Sequence, residues 1–75
     1  MTGRESIGMA DLELLALRIT EGLVVPRPGC TLEISTYVWN RNSFDVQHRF
    51  EEACEAHGIP FVVREQIGGI EWVCA

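Results

Sequence analysis

Lysine is absent from this chain of 75 residues, so all of its positive charge comes from six arginines. That excludes Schiff-base chemistry and the lysine of a phosphate-binding loop, and it weakens any phosphate-tracking surface. No CxxC pair exists among the three cysteines, and no glycine-rich turn leads into a helix. No apolar run approaches the roughly 20 residues that span a bilayer. The first residues (Met1 to Ser6) contain one arginine and one glutamate and no apolar segment before a cleavage site, so no signal peptide is expected. The expected compartment is the cytoplasm, without membrane or direct nucleic-acid contact and without a cofactor.

What is present is an acidic, moderately apolar chain with net charge −5. A chain this short forms one domain, residues 1–75, with residues 1–7 expected to be a flexible lead-in. It buries only about 60% of its unfolded surface, so the core must be used fully.

Apolar spacing predicts a helix over Gly8 to Glu21, with Leu12, Leu15, Ala16 and Ile19 on one stripe. Ala10, Leu14 and Leu17 form a second seam almost opposite. "LVVPRPG", from Leu23 to Gly29, is a short extended connector. Cys30 to about Trp39 alternates as a strand, with Cys30, Leu32, Ile34, Thr36 and Val38 toward the core. The other face would then display Tyr37 and Trp39. Asn42 or Ser43 caps a second helix, whose inner stripe is Val46, Phe50, Ala53, Cys54 and His57, and Gly58 stops it. "FVVREQIGGIEWVCA" reads as a hairpin around Gly68 and Gly69. Phe61, Val63, Trp72 and Cys74 share one of its faces, and Val62, Arg64, Glu71 and Val73 the other. In a four-residue turn Arg64 would face Glu71. The order is α-β-α-β-β: an α+β two-layer sandwich, with a three-stranded mixed sheet and two helices on one face. The last strand is placed either between the other two or at the edge.

This order is similar to that of a winged helix lacking one helix, with the hairpin as wing. That similarity implies a DNA-binding regulator, but the recognition helix would be "DVQHRFEEACEAH", rich in glutamate where DNA binders carry positive charge.

Two surplus apolar surfaces on so small a domain favour a protein that works by binding. Tyr37 and Trp39 on the open sheet face, and Leu14 and Leu17 on the first helix, are the candidate contacts. Glu51, Glu52 and Glu55 would steer the molecule toward a basic partner. The expected function is therefore a non-catalytic inhibitor or adaptor that docks on a protein, including one that normally holds nucleic acid. Acidic domains of this size are common among bacteriophage inhibitors of host defence nucleases such as anti-CRISPR proteins, and the arginine-only usage suits a GC-rich bacterial or phage genome.

Two alternatives stand beside it. Cys30, Cys54 and Cys74 should converge at one end of the core with His57 nearby, as a Cys₃His zinc site or redox module would need. Structural zinc sites draw ligands in close pairs, which favours buried thiols, and a reducing cytoplasm disfavours a disulfide. The Leu14/Leu17 seam also suits a homodimeric structural subunit. No nucleophile motif or acid/base pair indicates an enzyme; His48 and Glu52, four residues apart, read as a solvated helix face.

Overall fold

The computed structural model describes residues 3–75. The chain forms strands β1 (Gly3–Ser6), β2 (Cys30–Ser35), β3 (Phe61–Arg64) and β4 (Ile70–Cys74). Its helices are α1 (Leu12–Thr20), α2 (Thr36–Arg41) and α3 (Phe44–Ala56). The class is α+β with an open mixed sheet in the order β1-β4-β2-β3. Strands β2 and β3 run parallel, and β4 is antiparallel to both of its neighbours, β1 and β2.

Helix α1 starts where Asp11 caps it: Asp11 Oδ1 accepts from the Leu14 N–H at 3.0 Å. Its stripe of Leu12, Leu15, Ala16 and Ile19 is buried as the 3.6-residue period requires. Ser43 caps α3 in the same way, and Phe50, Ala53 and Cys54 face the core. Gly58, at φ 68°, takes the left-handed conformation that ends α3. His57, expected on the inner stripe, is instead the exposed C-cap of α3.

Helix α1 itself begins at Leu12 rather than Gly8, and four larger features also depart from the sequence reading. The segment read as a flexible lead-in contributes residues 3–6 as an edge strand, while residues 1 and 2 lie outside the described residues. Strand β2 stops at Ser35 rather than Trp39, and "TYVWNR" is a third helix. Tertiary contacts override the strand propensity of its aromatic and β-branched residues. Ser35 Oγ accepts from the Val38 N–H at 3.1 Å, so the last strand residue is also a helix cap. At the other end, Asn42 Nδ2 donates to the Val38 carbonyl and Gln47 Nε2 to the Trp39 carbonyl, both at 2.7 Å. The turn buries Val38. It also lays Trp39 against Phe50 and Phe61, at centroid distances of 6.2 and 5.7 Å.

The final two strands, third, do not pair with each other. Residues 65–69 cross over the end of β2, so β3 and β4 flank it on opposite sides. Among the three expected strands the last lies at the edge, but beside β2 rather than beside its hairpin partner, and β1 then covers it. The central place lets β2 bond along both edges and assembles two apolar rows, Phe61–Leu32–Trp72 and Val63–Ile34–Ile70. Leu32, Ile34 and Ile70 are fully buried there. The face assignments survive, because alternation does not depend on which neighbour a strand has. Arg64 and Glu71, expected as a direct cross-strand pair, are separated by β2.

Fourth, Cys30 and Cys74 are neighbours across β2 and β4 and form a disulfide, where free thiols were expected. Thr31 and Glu33 turn their backbone groups toward β4, as Ser35 N–H to Gly69 O (2.8 Å) and Ala75 N–H to Gly29 O (3.0 Å) indicate for this edge of β2. Cys30 and Cys74 therefore fall at a non-hydrogen-bonded pair, the position where antiparallel side chains come closest.

Candidate docking surface

The core lies between the sheet and the helices, and the two outer surfaces are chemically unlike. On the uncovered sheet face, Glu33 of β2 stands directly opposite Glu71 of β4, an unfavourable juxtaposition of like charges. Arg4 of β1 resolves it by bridging both carboxylates, at 2.7 Å to Glu33 and 3.1 Å to Glu71. Arg64 approaches the other oxygen of Glu33 at 3.7 Å. The Glu33 carboxylate holds the Arg4 guanidinium above its ordinary pKa, through the hydrogen bond first and the charge second. Glu33 is only 3% exposed although no element covers this face, because arginine side chains lie over it. Val62 and Val73 are half-buried beside it. This is the open face expected from alternation, but Tyr37 and Trp39 are not on it.

Tyr37 sits on the outer side of α2, 70% exposed, with the Arg41 guanidinium 5.2 Å from its ring centroid. Trp39 is half-buried against Phe50 and Phe61 and belongs with the core. The two aromatics expected to form one patch therefore point in different directions, and the helical period separates them.

The Leu14/Leu17 seam is where the sequence places it. Both side chains point away from the sheet, with 37% and 53% of their surface exposed. Together with Ala16, Thr20 and Val46 they line a groove of about 580 Å³ between α1 and α3. An ion pair between Arg49 of α3 and Glu13 of α1, at 3.1 Å, borders it, with Asp11 at one end. Phe44, at the start of α3, is also exposed and stacks on His48. Glu51, Glu52 and Glu55 are exposed on the same helix, and His48 Nε2 lies 3.4 Å from Glu52. Sequence patterning found both leucines. It did not find the contribution of Val46 and Arg49, because the facing of α1 and α3 is a tertiary property.

The four residues of the zinc reading are not assembled. Cys30 and Cys74 are bonded to each other, Cys54 is buried in the core, and His57 is exposed. Among the described residues no three His, Cys, Asp or Glu side chains gather closely enough to hold a metal ion. Burial pushes the Cys54 thiol up to about 12, which keeps it protonated and unreactive at neutral pH. No described helix is long and apolar enough to cross a membrane.

No protein-family model, curated protein or solved structure matches this chain.

Proposed function

We propose that this chain is a non-catalytic binding protein of the inhibitor or adaptor kind, which docks through its helix layer. The observation that carries the reading is the apolar groove of Leu14, Leu17 and Val46 within an acidic surface. Two exposed leucines beside a half-buried valine, lining one continuous groove, are what a helix-in-groove contact uses. Asp11 and Glu13 at the groove, with Glu51, Glu52 and Glu55 on α3, select a partner that is basic as well as apolar. An amphipathic helix with arginine or lysine beside its apolar stripe fits this description. A protein whose surface normally holds nucleic acid presents such charge, and an inhibitor of a nucleic-acid-guided nuclease would meet one. The surplus of acid on α3 disfavours the DNA-binding alternative on the same physical ground.

Titration of the isotope-labelled protein with a designed peptide helix bearing leucines on one face and arginines around it tests the reading. Amide shifts should concentrate at Leu14, Leu17, Val46 and Arg49 and weaken as salt is raised. Shifts confined to the sheet face, or none at all, would reject it.

A further inference from the structure

The two edges of the sheet are built differently, and the difference points to a second binding surface. At one edge β1 reads "GRES", exposed along its length and carrying Arg4 and Glu5, the charged blunting that keeps an edge strand from pairing. At the other edge β3 reads "FVVR", with three half-buried apolar residues in succession. The Leu32 N–H donates to the Pro60 carbonyl at 2.9 Å, which fixes the phase of the parallel ladder. Val62 and Arg64 thus turn their backbone groups toward β2, and Phe61 and Val63 turn theirs outward. No other hydrogen bond among the described residues engages the backbone of Phe61 or Val63. Trp39 rests on Phe61 at this edge and is itself half-exposed.

We propose that the β3 edge pairs antiparallel with β3 of a second copy of this chain, about a twofold axis through Val62. The occupant follows from self-complementarity. A twofold axis normal to the sheet keeps each face on its own side, so Val62 meets Val62 and Phe61 meets Val63 of the second copy. In that register both outward-facing residues, Phe61 and Val63, become hydrogen-bonded pairs, and all four of their backbone groups are satisfied in each copy. The opposed side chains at residues 61, 62 and 63 are all apolar, and Arg64 falls opposite Pro60 just beyond them. The register one residue further along would set Phe61 against Glu65 and Val62 against Arg64. An unrelated strand would gain the backbone bonds without this match. The junction also covers Trp39 and Phe61 surface from both copies, and it leaves the groove between α1 and α3 free. Four-residue strands bury little area, so the dimer lies at the weak end of specific association.

Sedimentation of the full chain over a concentration series, with amide protection measured at Phe61 and Val63, tests the pairing. The wild type should shift toward dimer as concentration rises, with protection appearing at those two amides. Val62→Lys sets two ammonium groups face to face across the axis, while within the monomer it lies beside Glu33. It should raise the dissociation constant about tenfold or more. Because Val62 would be a close, non-hydrogen-bonded pair, Val62→Cys should oxidise to a dimer linked through residue 62 in both copies, while Arg64→Cys should not. A wild type that stays monomeric at every concentration would overturn the proposal. So would a dimer that survives Val62→Lys, or one lost only on changing Leu14 and Leu17.

Discussion

The helix layer and the sheet face handle charge in opposite ways. On the open sheet face each arginine is spent internally, Arg4 on Glu33 and Glu71 and Arg64 on Glu33. The helices and their caps hold Asp11, Glu13, Glu21, Asp45, Glu51, Glu52 and Glu55 against Arg18, Arg41 and Arg49. Of those acids Asp11, Glu21, Asp45 and Glu55 have no ion pair among the described residues. Neutralisation on one face permits a buried carboxylate; surplus on the other leaves a field that acts outward. The exposed leucines lie in that field. Geometry and electrostatics therefore favour the same face for the proposed docking role.

The strongest way to break the contrast is to loosen the sheet. The Cys30–Cys74 bond closes a loop with a sequence separation of 44, for which loop-closure entropy is worth about 4 kcal/mol. That is a large share of the stability of so small a domain. The double variant Cys30→Ser, Cys74→Ser should lower the denaturation midpoint accordingly, and reduction of the wild type should match it. Unchanged midpoints would mean the bond does not form in solution.

Next in size is the pair of aromatics that alternation wrongly joined. Trp39→Ala should cost roughly 2–3 kcal/mol, below the full core value because the ring is half-buried. Tyr37→Ala should stay within about 0.5 kcal/mol. Equal effects, read by urea titration, would return both residues to one surface. A smaller contrast separates the carboxylates. Glu33→Ala leaves Arg4 and Arg64 without their shared partner and should cost about 1–2 kcal/mol, since both arginines keep water contact. Glu52→Ala should be close to neutral.

The least effect is expected at Cys54. Its thiol pKa is raised to about 12 in the folded chain from the ordinary value of 9.0, so folding favours the protonated form. The associated stability is complete below pH 9 and is lost as pH rises toward 12. At pH 8 an alkylating reagent should leave Cys54 unmodified in the native protein and label it after denaturation. Rapid native labelling would show that the core beneath α3 opens.

How much of this was legible in the residues follows from where each signal resides. Local periodicity gave the buried stripe of α1, the helix α3 with its cap at Ser43, the faces of β2, β3 and β4 and the outward Leu14 and Leu17, because those depend on nearest neighbours along the chain. It began α1 at Gly8, ahead of its cap at Asp11. It missed α2, since "TYVWN" has strand propensity and its local caps at Ser35 and Asn42 are joined by Phe50, Phe61 and the Gln47 amide, elsewhere in the fold, in settling it as helix. It missed the crossover of residues 65–69 because Gly68 and Gly69 serve a hairpin and a longer passage equally well. Gly3 to Ser6 carry no apolar alternation, so β1 was silent; its place is defined by the open edge of β4. The cysteines needed the register. Spacing along the chain could not reveal that Cys30 faces Cys74 across β2 and β4.

The docking role of the helix layer is tested most directly with Leu14→Gln and Leu17→Gln combined, a change that keeps helix propensity while making the groove polar. Wild type and variant should unfold at nearly the same denaturant concentration, yet binding of the basic amphipathic peptide should fall by about tenfold or more in the variant. Equal binding by both proteins, or a variant that unfolds, would contradict the account.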